Sequence, residues 1–435
     1  MKRVSQLTAL TMAFGLAAFS TFAAAIPHSF TLTQLRQQHG VVIDTRPSAF
    51  YNGWPQAPGG AFGHEPAALN LSASWLSLMS DTQLADWAKR HHLMPDSAIA
   101  LYGSDSDNQA VRARLNKAGY LHISLLRDAL QAPDRLQRLP HFEQLVYPQW
   151  LYQLQQHKPV VATPAGDWKV FEAGWGAPKY YLLSHIPGAG YIDTNDVESE
   201  PLWNKVSDDK LKAMLLKHGI RHDTTVILYG RDVYAAARVA HIMLYAGVKD
   251  VRLLDGGWKT WSDAGLPVER GMPPTVTPAS DFGAPVPGQP QLMVDMEQAR
   301  GMLRRQDASL VSIRSWPEFI GETSGYSYIK PKGDIAGARW GHAGSDATHM
   351  EDFHNPDGTM RSSDDIAAMW KQWGIRPNQH VAFYCGTGWR ASETFMYARA
   401  MGWKNIAVYD GGWYEWSSHP QNPVATGERG PESSR

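Results

Sequence analysis

The feature that most constrains this chain is that it repeats itself. Three short apolar runs, 98–102, 225–229 and 380–384, each end in tyrosine and are followed by Gly103, Gly230 and Cys385. In the second and third copies an Asp-Gly-Gly-Trp segment, 255–258 and 410–413, begins 26 positions after that tyrosine. The first copy is looser: 118–120 leads into the apolar run 123–126 with no Gly-Gly-Trp. Upstream, 42–47 corresponds to 311–315 and, less closely, to 170–172, and turn segments at 64–68, 185–189 and 334–338 follow. Three related units in 435 residues, at about 150 residues per domain, mean that each unit buries its own core.

Within each unit short apolar runs alternate with helical stretches such as 207–218, 364–373 and 391–401. That alternation predicts an α/β fold, a mainly parallel sheet flanked by helices in every unit. The spacing of Ala391, Phe395, Ala398 and Gly402 puts them on one face of a helix. Gly271 to Pro290 is rich in Pro and Gly, lacks periodicity and reads as a linker. The expected organisation is a signal peptide (1–25), a first unit (26–140), a second (141–270), the linker (271–290), a third unit (291–425) and a tail (426–435). The first boundary lies near 140–148.

Lys2 and Arg3, an apolar stretch over 7–22 and Ala23, Ala24 and Ala25 have the order of a cleaved secretory signal. The stretch is short of the ~20 residues that span a bilayer, so no membrane span is expected in the mature chain. Apolar residues at 43% and charged ones at 19% describe a folded protein. Lys and Arg number 41 against 42 Asp and Glu, so no global field steers a nucleic acid toward the surface. No strand is followed by Gly-x-Gly-x-x-Gly, which removes dinucleotide binding, and no Gly-x-Ser-x-Gly elbow supports Ser-His-Asp chemistry.

Cys385 is the single cysteine. An internal disulfide and a multi-thiolate metal site are therefore impossible. It stands where the run 380–384 meets the next helix, in Cys385-Gly386-Thr387-Gly388-Trp389-Arg390. Backbone N–H groups at such a turn have no intrahelical partner and converge on whatever lies above it. Gly386 and Gly388 are expected to supply positive φ. The helix dipole and Arg390 favour thiolate over thiol. A free cysteine is most often a small buried hydrophobe, but a solitary thiol with two glycines and an arginine in an exported chain fits a nucleophile better. Arg390 follows Cys385 by five positions, one fewer than in the Cys-x5-Arg loop of cysteine-dependent phosphatases. The tighter loop suits a single added sulfur atom.

Cys-x-x-Gly-x-Arg, together with Arg314-Ser-x-x-Glu318-Phe319 and Asp334-Ile-Ala-Gly337-Ala338, resembles the rhodanese, or thiosulfate sulfurtransferase, family. The resemblance covers nearly all of the chain after the signal and implies three tandem rhodanese-like domains. It makes Cys385 the persulfide-forming nucleophile, Gly386, Thr387, Gly388 and Trp389 the cradle, and Arg390 and Arg314 residues that bind the donor. It implies a small anionic donor such as thiosulfate, a thiol (a protein thiol included) or cyanide as acceptor, and no cofactor or metal. With the signal it implies a periplasmic protein.

Departures from the family pattern carry their own expectations. Ser312 replaces the usual acid two positions before Arg314, so an orienting contact is expected to be missing. Gly103 and Gly230 occupy the cysteine position of the first two units, whose loops contain acidic residues and lack an arginine in the matching place. Those units are expected to be catalytically silent, as packing partners or as walls of the third unit's site. The rival reading is a sulfur-carrying or partner-binding protein with little turnover. His342, Asp346, His349, Glu351, Asp352 and His354 fit no helical ligand pair and read as a solvated loop near the substrate. Trp258, Trp261, Trp413 and Trp416 read as packing, with Trp389 and Trp416 the candidates for the mouth of the site.

Overall fold

The computed structural model describes residues 29–431, so the expected signal peptide (1–25), residues 26–28 and the last four residues lie outside it. It contains three five-stranded sheets whose neighbouring strands all pair in parallel. In each sheet the middle strand is the run that ends in tyrosine: β1 (Ile99–Tyr102), β2 (Thr225–Tyr229) and β3 (His380–Tyr384). A middle strand is covered on both faces, which is why the last four residues of each of these segments are apolar rather than alternating. In the third sheet Val381 to Phe383 pair with Ile406 to Val408 on one side, and Ala308 to Ser312 pair with β3 on the other.

The helices that follow these strands are α1 (Asp105–Lys117), α2 (Val233–Ala246) and α3 (Trp389–Ala400). Starting at Trp389, α3 begins two residues before the expected 391. Beyond the face expected from the sequence, Arg390 to Ala398 are all buried. Its second face packs on α2, and alanines at 235–237, 240, 391 and 398 let the two helices approach. One continuous hydrophobic core therefore runs through the second and third units.

The second sheet starts at Leu145–Val146 and the third at Met293–Val294. The segment 271–290 is not a free linker but a strap docked on the second unit. Phe282 is buried, its carbonyl accepts the His222 N–H at 3.0 Å, and the Gly288 N–H donates to the Ala246 carbonyl at 3.0 Å. Nor is the described part of the tail loose. Gly427 donates to the Ile320 carbonyl at 2.7 Å, and the Arg429 guanidinium lies 3.9 Å from the Phe319 ring centroid. Among the described residues no helix is long and apolar enough to cross a membrane.

Candidate active site

The strand β3 delivers Cys385 to a loop gripped by the turn at 411–414. The Trp413 N–H donates to the Cys385 carbonyl at 2.8 Å, and the Tyr414 N–H to the Gly386 carbonyl at 3.1 Å. Gly412 has φ 54°, and a Cβ there would stand 2.5 Å from the Cys385 carbonyl oxygen. The repeated Asp-Gly-Gly-Trp thus has a structural role: its glycines let one turn lie against the loop after the middle strand. In the second unit the Trp258 N–H donates to the Gly230 carbonyl at 3.0 Å in the same way.

The two loop glycines serve different ends. Gly388, with φ 101°, turns its N–H onto the Cys385 Sγ at 3.2 Å. Gly386 does not take a positive φ among the described residues, contrary to expectation; it is needed for space, because a Cβ there would meet the Tyr326 ring at 2.3 Å. Cys385 is 1% exposed. Thr387, Trp389 and Arg390 beside it line a cavity of about 640 Å³.

Arg390 and Arg314, expected to bind the donor, both contact buried carboxylates. Arg390 is 1% exposed and forks onto Glu318, with both N···O distances 2.9 Å, while its Nη2 also donates to the Tyr326 hydroxyl at 2.9 Å. Burial would raise the Glu318 carboxyl, but the Arg390 and Arg314 guanidiniums and the Ser315 hydroxyl hold it at about 2. Arg314 is fully buried and donates to the Gly333 and Ser324 carbonyls at 2.7 and 3.1 Å. The orienting contact expected to be lost at Ser312 is supplied by Asp334. Asp334 lies 3.1 Å from Arg314 and accepts from the Ser312 and Tyr384 hydroxyls at 2.7 and 2.5 Å. In the first unit Asp44 does this for Arg46, at 2.7 Å.

Several residues of the site escaped sequence reasoning. Tyr326 and Tyr328 come from the loop before Asp334 and line the cavity, as does Glu198 of the second unit. Arg238, on α2 and fully buried, donates from Nε to Glu198 at 2.9 Å and from Nη2 to Asp410 at 2.7 Å. Glu198 accepts the Trp389 indole N–H at 2.6 Å. Two neighbouring tyrosines in Ser324-Gly325-Tyr326-Ser327-Tyr328 were the only local signal.

The positions that match Cys385 in the first two units leave no room for a side chain as they stand. A Cβ at Gly103 would meet the Thr45 Oγ1 at 2.1 Å, and one at Gly230 the Asp232 carbonyl oxygen at 2.5 Å. Trp413 and Trp416 are fully buried, so Trp389 reaches the cavity and Trp416 does not. In the 342–354 loop His349 bonds Asp346 at 2.7 Å, His342 lies 3.6 Å from Asp352, and His354 pairs with Glu393. The Asp346 carbonyl accepts from Arg390 at 3.3 Å, so this loop closes over the arginine.

The model of the rhodanese-like domain matches residues 148–264 and 295–419, and the chain belongs to that family. Its first sheet, which precedes those matches, has the same strand order as the other two. The chain is 77% identical over its whole length, and the whole length of the relative, to thiosulfate sulfurtransferase YnjE of Escherichia coli (strain K12). The crystal structure of YnjE superposes with a TM-score of 0.93 over 96% of this chain and 100% of that one. Sulfur carrier protein TtuD of Thermus thermophilus is 29% identical over 57% of this chain and 87% of its own length. The anaerobic ergothioneine biosynthesis enzyme from Chlorobium limicola, solved in complex with trimethyl histidine, is 37% identical, with a TM-score of 0.87 over 92% of this chain and 99% of that one.

Proposed function

We propose that this chain is a thiosulfate sulfurtransferase working through Cys385. The observation that carries the reading is the Gly388 N–H aimed at the Sγ of the single cysteine, on the turn after the middle strand of the third sheet. The Cys385 thiolate attacks the outer sulfur of thiosulfate; the S–S bond breaks and sulfite leaves with the bonding pair. An acceptor thiolate or cyanide then attacks the terminal sulfur of the persulfide. The products are R–S–S⁻ or thiocyanate and the original thiolate, so no oxidant or reductant is consumed. Ping-pong kinetics follow. Glu318 and Arg390 neutralise each other and hold the loop, leaving the loop N–H groups to meet the anionic sulfur. Steady release of sulfite and thiocyanate from thiosulfate and cyanide supports an enzyme. A single sulfur per chain and no turnover would replace it with the carrier reading, which the likeness to TtuD favours.

The cavity favours an organic cation as the physiological acceptor. Trp203 and Tyr234 of the second unit share its lining with Tyr328, Trp389 and Tyr414 of the third; of its charged lining Arg390 is neutralised by Glu318 and Glu198 by Arg238, which leaves the carboxylate of Glu200. Aromatic faces with excess carboxylate attract cations. The Chlorobium limicola relative holding trimethyl histidine supports the same class. A quaternary ammonium thiol should therefore outperform a carboxylate thiol of equal size in kcat/KM by about tenfold. A preference for the carboxylate thiol would refute this acceptor.

The location proposed is periplasmic, supported by Lys2, Arg3 and the apolar stretch before Ala25. N-terminal sequencing of the protein from a periplasmic extract tests it, and a chain retaining Met1 in the cytoplasm would refute it.

A further inference from the structure

We infer that the second unit, which has no thiol, completes the cradle of the third, with Arg238 as a positioning residue for sulfur transfer at Cys385. The inference rests on the reading of Cys385 as nucleophile. Three observations carry it. Arg238 packs against Gly388, the residue whose N–H meets Sγ: a Cβ at Gly388 would stand 2.7 Å from the Arg238 Nη1. Both carboxylates that Arg238 holds act on the cradle. Glu198 fixes the Trp389 indole, and Asp410 immediately precedes the glycine turn that grips Cys385 and Gly386. The Asp410 carboxylate also accepts the Lys205 N–H at 2.8 Å, tying a second stretch of the second unit to that turn.

The third observation concerns Nη1 itself, which is fully buried and has no hydrogen-bond partner among the described residues. A buried donor without a partner is costly to keep. Its place against the loop glycine puts a rigidly held N–H donor directly behind the residues that receive the anionic sulfur. A guanidinium reaches two carboxylates in a fixed fork, whereas an ammonium is a point charge on a flexible stem. Lysine at 238 would keep the charge and lose one arm of the bridge.

The test uses the full chain with Arg238→Lys, Glu198→Gln, Trp389→Phe and the Arg238→Lys/Trp389→Phe pair. Single-turnover loading of Cys385 by thiosulfate is followed across donor concentrations, with iodoacetamide alkylation of Cys385 and the melting temperature recorded alongside. Arg238→Lys should lower the maximal loading rate by roughly 10- to 100-fold, the scale of a small misplacement of reacting groups, with the half-saturating concentration little changed. Adding Trp389→Phe should cost little more, because both changes break the same bridge. Folded Arg238→Lys loading at the wild-type rate, or fully multiplicative losses in the pair, would overturn the inference. Should Arg238→Lys fail to fold, Glu198→Gln and Trp389→Phe, which leave Arg238 on Asp410, must slow loading; wild-type rates in both would overturn it. A wild type that takes no sulfur contradicts the proposed function instead, and the alkylation rates still report whether Arg238 positions the thiol.

Discussion

Glu198 joins the chemistry of single residues to stability. Burial raises its carboxyl to about 7 despite the Arg238 charge, and burial likewise raises Asp255 to about 7. For a carboxyl raised above its ordinary 4.5, folding takes up a proton, so the stabilisation is fully present below that value and is lost as pH rises through 7. Glu318, held at about 2, behaves in the opposite sense: its contribution is present above 4.5 and is lost as pH falls toward 2. Glu198→Gln should therefore flatten the fall of melting temperature between pH 4.5 and 7, measured by calorimetry. An unchanged slope would show that the carboxyl is ionised throughout that range. Cys385 was legible at this scale because packing alone does not call for a solitary thiol between a strand and a glycine loop. The engagement of Arg390 was not, since Glu318 lies 72 positions away and meets it only after folding. Asp334 taking the place of an acid at 312 was hidden for the same reason.

Among the elements, the glycine turn and the loop it holds are the least tolerant of change. Gly412→Ala would drive a methyl group against the Cys385 carbonyl, a backbone atom that cannot give way. It should cost about 1–3 kcal/mol of stability and most of the sulfur loading, read by denaturant titration and intact mass. Wild-type values in both would contradict the grip described. Gly230→Cys should gain no second sulfur from thiosulfate, because the Asp232 carbonyl occupies the position and no guanidinium matches Arg390 there. A second persulfide in that variant would show the second unit to be silent only for want of a thiol. The strands were readable because a middle parallel strand is apolar over successive positions, and the turn because it repeats. The burial of α3 was not, because its second face meets α2, about 150 positions earlier in the chain.

On the scale of the molecule, a core shared by the second and third units and a cavity walled by both make sulfur transfer a property of the pair. A fragment from residue 291 onward would expose α3 and lose Arg238, Glu198 and Tyr234. It should melt well below the full chain and load sulfur slowly, and a fragment as stable and as fast would refute the shared site. The repeats made three units visible in the sequence. Nothing local showed how closely the second and third are joined, since contacts between units leave no periodicity. The central claim, that one thiol carries the transferred sulfur, is tested most directly by intact mass after thiosulfate treatment of the wild type and Cys385→Ser. The wild type should gain one sulfur atom, cyanide should remove it, and the variant should gain none. A wild type of unchanged mass, or a variant that takes up sulfur equally, would contradict the account.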